Sequence, residues 1–341
     1  MDIQAAIRRV VDKHDLAFED MQSVMRSIMG GDATPAQIAG LLVALRMKGE
    51  TIDEIAGAAS VMRELAQHVE VGLTPLIDTC GTGGDGIGTF NISTASAFVT
   101  AAAGGRIAKH GNRAASGASG SADVLEAAGA RIDLSPAEVA DCVRQVGVGF
   151  MFAPAHHGAT RHAAGPRREL GTRTLFNVLG PLTNPANASV QLMGVYDRSW
   201  VSRAAEVLQR LGVARALVVC AEDGMDEISI ASVTHAAELR DGAVTTYLID
   251  PREYGIPFQA LESLAARDAQ ASLAHIRAVF DDQPGPARDI VTLNSGAAIY
   301  IAGLAPTLAA GIERAREVIA SGAARECFAR FIAHTQSFKK H

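Results

Sequence analysis

Cysteine is scarce in this 341-residue chain, and its four cysteines lie far apart without any C-x-x-C pair. That spacing indicates neither a structural zinc site nor a disulfide framework. Long hydrophobic runs are also missing, since no stretch reaches the ~18 uninterrupted apolar residues of a membrane span. The first residues, Met1-Asp-Ile-Gln, lack the basic and apolar regions of a signal peptide. We therefore expect the protein to work in a reducing cytoplasm.

Positive charge is not in excess either. Lys and Arg number 31 against 37 for Asp and Glu, which gives a net charge of −6 at pH 7. This balance argues against nucleic acid or an anionic membrane as the main partner. A polyanionic ligand would have to be held by local cations, helix ends or Mg²⁺ against the overall field. With 48% hydrophobic and 20% charged residues, we expect a soluble globular chain with an ample core, in two domains or one large one.

Several familiar catalytic signatures are absent from the sequence. No Gly-Lys-Ser/Thr follows the glycine-rich segment, so there is no P-loop, and the glycine spacing is not G-x-G-x-x-G. Neither a Ser-His-Asp order nor a G-x-S-x-G elbow appears, so covalent acyl chemistry is not supported.

One glycine-rich segment, residues 78–94, nevertheless stands out. An apolar run ending at Asp78 predicts a buried strand, and residues 95–103 predict a buried helix. Glycines in the intervening loop allow close backbone approach to a ligand, and a helix start offers free N–H groups and a positive dipole end. An anion site is therefore favoured over a plain turn. Asp85 within the loop suggests a polyol or a metal as well as phosphate.

Two kinds of pattern divide the chain. Residues 1–72 are predicted to be helical, with capping boxes at Thr34-Pro35-Ala-Gln37 and Thr51-Ile-Asp-Glu54. From residue 73 to 341 strands and helices alternate, which predicts a mainly parallel sheet with helices on both faces. Part of residues 158–185 breaks this alternation and is expected to join the small helical domain. The predicted fold class is therefore α/β, with a small all-helical domain and a large α/β domain.

The predicted elements of the α/β part follow one another in a regular order. Strands are predicted at 106–109, 148–152, 190–195 and 216–220, and a hairpin turns at Asp241-Gly242. Helices are predicted at 122–128, at 201–211, from the capping box Ser135-Pro136-Ala-Glu138 to about residue 145, and over most of the chain after the hairpin. Ligands of such sheets sit beyond the carboxyl ends of the strands. The glycine-rich loop and a second polar loop, 110–121, can therefore converge on one site.

Two further segments could act on a phosphorylated ligand. Lys109 could be aimed at phosphate, with Asn112, Arg113, Ser116, Ser119 and Ser121 nearby in the second loop. A surface lysine is the alternative. Asp226-Glu227 follow a strand and suit Mg²⁺, which prefers oxygen ligands and shares its shell with phosphates, whereas a solvated acidic turn is the alternative. Together these features favour an enzyme for a phosphorylated, polyhydroxylated small molecule, acting mainly by positioning and electrostatic stabilisation.

A basic run and a histidine pair leave alternatives open. One arginine of the run could bind a carboxylate through two parallel hydrogen bonds. The alternative for each arginine is a side chain that is simply exposed to solvent. The run comprises Arg161, Arg167, Arg168 and Arg173. His156-His157 has no third ligand at suitable spacing, so a structural pair or a lining of the site is favoured over a metal site.

Six ordered motifs resemble those of the anthranilate phosphoribosyltransferases. They are Gly81-Thr-Gly-Gly-Asp85, Asn91-Ile-Ser-Thr94, Lys109-His-Gly-Asn-Arg113, Phe152-Ala-Pro-Ala-His-His157, Arg173-Thr-Leu-Phe-Asn-Val-Leu-Gly-Pro-Leu-Thr-Asn-Pro185 and Asp223-Gly-Met-Asp-Glu-Ile-Ser229. The resemblance covers nearly the whole chain and is densest from residue 77 to 230. It implies a nucleoside-phosphorylase-like fold and a homodimer formed through the helical domain. It also implies transfer of phosphoribose from phosphoribosyl pyrophosphate to anthranilate, with Mg²⁺, in tryptophan synthesis.

The resemblance assigns roles to the matching positions. Mg²⁺ would be bound by Ser93, Asp226 and Glu227, and anthranilate by Gly81, Asn112 and Arg167. No acid–base catalyst is implied, and Lys109 would act electrostatically on the departing pyrophosphate. Phosphoribosyl pyrophosphate would be held by Gly81, Gly84, Asp85, Thr89, Asn91, Ile92, Ser93, Thr94, Lys109, His110, Gly111, Asn112, Arg113, Ala114, Ala115, Ser116, Gly117 and Ser121.

Two positions depart from the family's usual pattern. Family members commonly have a second serine at the position of Gly117 and a longer residue at the position of Ala118. We therefore expect the side chains of this loop to make fewer contacts in this chain. Gly158-Ala-Thr160 replaces Pro-Ala-Met, which is expected to loosen the anthranilate entrance. Two rivals remain. A pyrimidine nucleoside phosphorylase would leave residues 167–185 unexplained, and a non-catalytic nucleic-acid-binding relative predicts a basic groove without the metal acids.

Overall fold

A single sheet forms the centre of the computed structural model, which describes residues 1–114 and 119–339. Within these residues it has seven strands: β1 Ile77–Gly81, β2 Ile107–Gly111, β3 Val148–Phe152, β4 Val190–Gly194, β5 Arg215–Ala221, β6 Thr234–Arg240 and β7 Ala243–Ile249. Their order in the sheet is β3-β2-β1-β4-β5-β6-β7. The first five strands are parallel, and β6 and β7 extend one edge in antiparallel pairing. The predicted mainly parallel sheet is confirmed.

Helices surround this sheet and precede it in the chain. They are α1 Ile3–Val11, α2 Phe18–Gly30, α3 Pro35–Lys48, α4 Ile52–Glu64, α5 Ile92–Ala102, α6 Ser121–Ala127, α7 Pro136–Val146, α8 Ala153–His156, α9 Arg161–Leu170, α10 Phe176–Leu179, α11 Trp200–Arg210, α12 Ala269–Phe280, α13 Pro286–Ile301, α14 Leu308–Ala320 and α15 Ala323–Ser337. The three predicted capping boxes form, and they start α3, α4 and α7. In each, the capping hydroxyl and the residue three positions later satisfy one another's backbone N–H groups.

Two elements near the glycine-rich loop differ from the prediction. Helix α5 begins at Ile92 rather than residue 95, because Ile92 is buried in the core and carries Ser93 and Thr94 into the first turn. Strand β2 spans residues 107–111 rather than 106–109, because its pairing with β3 continues through Gly111. His110 and Gly111 therefore belong to the strand and not to the second loop.

Helices cover both faces of the sheet, as predicted. On one face α5 packs on β1 and α13 packs on β4. On the other face α11 packs on β5 and β6. The core under α11 continues through α1–α4 to α9, which packs against α2 and α3. Residues 161–170 thus share a core with the four N-terminal helices.

Smaller features complete the fold. The hairpin turns at Asp241 and Gly242 as predicted, both with a left-handed φ, of 52° and 74°. All four cysteines carry free, buried thiols. None of the helices in the described part of the chain has the length and apolar character needed to span a bilayer.

Candidate active site

The glycine-rich loop leaves the carboxyl end of β1 and enters α5. Its backbone is left-handed at four positions, since Gly83, Gly84, Gly86 and Gly88 all have φ between 66° and 78°. A side chain on any of these residues would strain the backbone. Asp85 stabilises the turn, since its Oδ1 accepts the Ile87 N–H at 3.2 Å. The predicted strand–loop–helix arrangement is therefore present.

Asp226 fits into a space that two paired glycines create. Gly81 and Gly194 are register partners at the carboxyl ends of β1 and β4. A Cβ on Gly81 would lie 2.4 Å from Asp226 Oδ2, and a Cβ on Gly194 would lie 1.5 Å from the Asp226 carbonyl oxygen. The Gly83 N–H donates to the same carboxylate oxygen at 2.6 Å. The acidic loop after β5 is thus pressed directly against the glycine-rich loop.

Glu227 reaches the start of α5, where its Oε1 accepts the Ser93 N–H at 3.0 Å. The loop that carries it is anchored from behind by Asn294 of α13. The Asn294 amide accepts the Ile228 N–H and donates to the Ile228 carbonyl, both at 2.9 Å. Asn294 is fully buried, so its amide holds the loop at a defined depth. Nothing in the sequence around Asn294 indicated this role.

The two adjacent carboxylates are electrostatically unfavourable without a cation. Burial, and then the nearby Asp85, raises the pKa of Asp226 to about 6. Burial, and then Asp226, raises the pKa of Glu227 to about 8. A divalent ion would relieve both costs, and carboxylates are hard oxygen donors that suit Mg²⁺.

Asp226 and Glu227 fit a metal ion that keeps some of its coordination positions for other ligands. Across residues 1–114 and 119–339, no cluster of three or more His, Cys, Asp or Glu side chains has a metal-binding arrangement. Asp226 and Glu227 would therefore share an ion with hydroxyl, water or phosphate oxygens, as Mg²⁺ commonly requires. The Ser93 hydroxyl is one candidate, since its backbone N–H already contacts Glu227.

Lys109 lies beneath the site and is not a surface lysine. Its side chain leaves β2, is only 3% exposed, and donates from Nζ to the Thr79 carbonyl and to Ser93 Oγ, the latter at 3.2 Å. Burial lowers its pKa, while the nearby Asp78 carboxyl acts in the opposite direction. The ammonium thus fixes the Ser93 hydroxyl and adds positive charge under the first turn of α5.

Asp78 and Asn184 join the strands at the base of the site. Asp78 Oδ1 accepts the His110 N–H at 3.2 Å, and its Oδ2 accepts Asn184 Nδ2 at 2.8 Å. Asn184 also donates to the Ala108 carbonyl at 2.8 Å. Both side chains are buried, so residues 181–185 are tied to β1 and β2.

Asn91 connects the glycine-rich loop to two other segments. Its Oδ1 accepts the hydroxyls of Ser119, at 2.9 Å, and Ser272, at 2.7 Å. Its backbone N–H donates to Ser272 Oγ at 3.0 Å, and its Nδ2 donates to the Ser119 carbonyl at 3.2 Å. Because these bonds occupy the side chain, Asn91 does not cap α5 with it. Ser272 was not found by sequence reasoning, since it is the one serine of α12 and belongs to no motif.

The second loop is described only in part, and Ala115, Ser116, Gly117 and the departure at Ala118 lie outside the described residues. Arg113 pairs with Asp123 and Glu126 of α6 and covers the Phe152 ring. The N–H groups of Ala114 and Gly120 both donate to Asp123 Oδ2, at 3.0 and 2.8 Å. Ser121 Oγ donates to the Asn112 carbonyl at 3.4 Å. The ends of the loop are therefore fixed to α6.

The arginines of residues 161–173 separate into different environments. Arg161 and Arg168 are exposed. Arg167 is half-buried over the Phe176 ring, with its Cζ 5.0 Å from the ring centroid, and burial lowers its pKa. It has no hydrogen bond or ion pair to the part of the chain that the structure describes. Arg173 instead contacts the glycine-rich loop.

Three buried histidines lie close together: His110 of β2, His156 of α8 and the adjacent His157. The rings of His110 and His157 meet edge to face with centroids 5.0 Å apart, and His156 Nδ1 lies 2.8 Å from the Gln67 carbonyl. Burial lowers the pKa of His110 to about 3 and that of His157 to about 4. Burial thus favours the neutral form of both rings.

Comparison with known proteins identifies the family. Residues 4–66 match the helical bundle domain of a glycosyl transferase family, and residues 73–325 match its a/b domain. The anthranilate phosphoribosyltransferase of Thioalkalivibrio sulfidiphilus is 60% identical over 99% of this chain and 100% of its own length. That of Methylococcus capsulatus is 58% identical over 95% of both chains.

Solved structures agree with these sequence relatives. The crystal structure of anthranilate phosphoribosyltransferase from Thermus thermophilus is 43% identical, with a TM-score of 0.93 over 97% of this chain and 99% of the other. The Saccharomyces cerevisiae enzyme in complex with PRPP and Mg is 24% identical and shares the fold, with a TM-score of 0.89 over 98% of each chain. The chain belongs to the anthranilate phosphoribosyltransferases, within the glycosyl transferase family whose helical bundle and a/b domains it contains.

Proposed function

We propose that the chain transfers the phosphoribosyl group of 5-phosphoribosyl 1-pyrophosphate to the amine of anthranilate in L-tryptophan biosynthesis. The products are N-(5-phosphoribosyl)anthranilate and pyrophosphate. The observation that carries this proposal is the meeting of the glycine-rich loop, the start of α5 and Asp226-Glu227 at the carboxyl ends of β1 and β4. Ligands of parallel sheets bind at that edge.

Phosphoribosyl pyrophosphate is proposed to bind between the two loops. Backbone N–H groups of the glycine-rich loop and of the first turn of α5 can approach its phosphates closely. The proposed residues are Gly81, Gly84, Asp85, Thr89, Asn91, Ile92, Ser93, Thr94, Lys109, His110, Gly111, Asn112, Arg113, Ala114, Ala115, Ser116, Gly117 and Ser121. Asn91 and Arg113 would contribute through backbone or support, because protein partners occupy their side chains.

Mg²⁺ is proposed to be held by Ser93, Asp226 and Glu227. Their oxygen donors and the raised pKa values of the two carboxyls support this assignment. Bound Mg²⁺ would supply charge neutralisation for the pyrophosphate group. Lys109 would hold the Ser93 hydroxyl and add a second positive charge from below.

Anthranilate is proposed to bind at Gly81, Asn112 and Arg167. Arg167 donates to none of the described residues, so its guanidinium suits the anthranilate carboxylate, and the neighbouring Phe176 ring suits an aromatic ligand. Arg167 and Asn112 would orient the amine toward C1 of the ribose, which supplies proximity. An aryl amine is neutral at pH 7, so the reaction needs no strong general base.

The larger organisation is part of the proposal. We propose a small helical domain of residues 1–72, joined by part of 158–185, and a large domain of residues 73–341. The packing of α9 on α2 and α3 supports the joining of these segments. We propose a homodimer formed through the helical domain, where Val11 and Met47 are 60% and 72% exposed. We also propose a cytoplasmic location, which suits the four free thiols.

Loss of anthranilate fluorescence on mixing with phosphoribosyl pyrophosphate tests the function. We expect consumption that requires both phosphoribosyl pyrophosphate and Mg²⁺. Phosphorolysis of a pyrimidine nucleoside, measured in parallel, should be undetectable. No consumption of anthranilate in any condition would overturn the proposal, and nucleoside phosphorolysis would favour the rival.

A further inference from the structure

Arg173 occupies a position that the proposed substrate contacts do not explain. Its guanidinium stacks on the Tyr196 ring, with Cζ 3.7 Å from the ring centroid, and donates through Nη2 to the Gly84 carbonyl. No carboxylate of the described residues lies within ion-pair distance of it. Its guanidinium thus lies on a ring face and on a backbone carbonyl of the glycine-rich loop. Hydrogen bonds from Ser199, and then the more distant charge of Arg173, lower the pKa of the Asp197 carboxyl.

Between Gly83 and Gly88, whose carbonyl accepts the Ala266 N–H at 3.0 Å, Arg173 gives the described loop its hydrogen bond to another segment, at Gly84. The earlier part of the loop is fixed, because Thr82 N–H donates to the Gly194 carbonyl and Gly83 N–H donates to Asp226. Gly84 has a left-handed φ of 78°, and a Cβ on it would lie 3.2 Å from Arg173 Nη2. The guanidinium thus lies directly against the exposed backbone at the turn of the loop.

Arg173 is itself held from two sides. Tyr196 follows β4, and its N–H donates to Thr82 Oγ1 at 3.1 Å, so the stacking surface is attached to the same loop. From the other side Arg46 of α3 donates through Nη1 to the Arg173 carbonyl. A continuous series of contacts therefore runs from the N-terminal helices through Arg173 to Gly84.

We propose that Arg173 is a positioning residue that clamps the glycine-rich loop in the geometry that receives phosphoribosyl pyrophosphate, and that Arg46 braces this clamp from α3. This inference rests on the proposed function for the identity of the ligand. The clamp acts on the loop at Gly84, whereas the proposed anthranilate contact Gly81 lies in β1, so we expect it to affect binding of the diphosphate and not of anthranilate. A lysine at 173 would keep the charge but lose the planar group that stacks and donates at once.

Kinetics with each substrate varied, together with amide hydrogen exchange of residues 82–88, test the clamp. For Arg173→Ala we expect the KM for phosphoribosyl pyrophosphate to rise about tenfold or more, with little change in the KM for anthranilate. Exchange of the loop amides should accelerate while Tm stays within about 2 °C of the wild type. Arg173→Lys should recover only part of the affinity, and Arg46→Ala should give a smaller rise, about threefold.

Matched variants separate the clamp from general effects of charge. Tyr196→Phe keeps the ring and should behave like the wild type, whereas Tyr196→Leu should resemble Arg173→Ala in part. Arg198→Ala removes an exposed guanidinium two positions after Tyr196 in the chain and should change nothing.

Three results would overturn the clamp. They are unchanged loop exchange in Arg173→Ala, equal increases of both KM values, and full rescue by lysine. If Arg173→Ala fails to fold, Arg46→Ala decides by the same readouts. A wild-type protein that consumes no anthranilate would refute the proposed function instead, and loop exchange would still report on the clamp.

Discussion

Arg167 donates to no acceptor among residues 1–114 and 119–339, so its guanidinium is available to a ligand. Its apolar neighbour Phe176 removes water from one side of the group. Burial lowers its pKa, which reflects the cost of holding this charge without an anionic partner. A bound carboxylate would offset that cost through two charge-assisted hydrogen bonds.

Replacing Arg167 by Ala should therefore raise the KM for anthranilate by roughly 10- to 100-fold, since hydrogen bonds to a charged group contribute about 1.5–3 kcal/mol. The KM for phosphoribosyl pyrophosphate should change little. Arg167→Lys should be intermediate, because it keeps the charge without the paired donors. Steady-state fluorescence kinetics measure both constants, with the exposed Arg168→Ala as the control. Unchanged anthranilate kinetics in Arg167→Ala would exclude this role.

At the residue scale, the sequence predicted which residue types meet but not how each is used. The acidic pair Asp226-Glu227 and the glycine-rich loop do come together. The burial of Lys109 was not predictable, because its depth depends on strands on both sides of β2. Arg167 and Arg173 look equivalent in sequence. In the structure, Arg167 donates to none of the described residues, whereas Arg173 donates to the Gly84 carbonyl.

At the scale of elements, the register between β1 and β4 creates the space for Asp226. Gly81 and Gly194 face each other at the ends of these strands, and the loop after β5 fills the gap they leave. The obstacle differs between the two positions. At Gly81 it is a carboxylate oxygen that can move, whereas at Gly194 it is the Asp226 backbone.

The substitutions Gly81→Ala and Gly194→Ala should therefore have different effects on activity and stability. Gly81→Ala should displace the Asp226 carboxylate and raise the Mg²⁺ concentration needed for half-maximal activity, with less than about 1.5 kcal/mol lost in stability. Gly194→Ala should lose activity and, because backbone must shift, about 2 kcal/mol or more of stability.

Magnesium titration of the activity and urea unfolding measure the two effects. Gly40→Ala is the matched control, because a Cβ on Gly40 in α3 would meet nothing within 4 Å and alanine favours a helix by up to about 1 kcal/mol. Equal behaviour of the two strand variants would contradict the distinction between a mobile and a fixed obstacle.

Element types and most element positions followed from local sequence. Capping hydroxyls, helical periodicity and the Asp241-Gly242 turn are short-range signals, and all three formed as predicted. The start of α5 and the end of β2 did not follow, because burial of Ile92 and pairing with β3 are tertiary effects. The Gly81–Gly194 register also depends on segments far apart in the chain.

At the scale of the whole molecule, the buried histidines at the candidate site link it to the pH dependence of the stability. His157 directly follows α8, and its ring packs on that of His110 in β2. Its side chain is 6% exposed, and burial, followed by the charge of His156, lowers its pKa from 6.5 to about 4. The folded protein therefore keeps His157 neutral at pH values where an unfolded chain protonates it.

The sign of the pH effect follows from this difference. Above pH 6.5 both states hold a neutral imidazole, and His157 makes its full contribution to stability. As the pH falls from 6.5 toward 4, only the unfolded state binds the proton, so stability is lost at about 1.4 kcal/mol per pH unit for this one group. Other carboxyl and histidine groups add their own dependence, so a difference between variants is required.

His157→Gln removes the titrating group and keeps a polar side chain. The variant will have a lower free energy of unfolding than the wild type at about pH 7.5. At about pH 5.5 this difference should be smaller by about 1 kcal/mol, because the variant lacks the imidazole that takes up a proton on unfolding. Urea unfolding of both proteins at the two pH values measures the difference. His14→Gln, at an exposed histidine, is the control for the substitution itself and should cost little stability at about pH 7.5. A pH-independent difference for His157→Gln would mean that the imidazole is protonated equally in the folded and unfolded states.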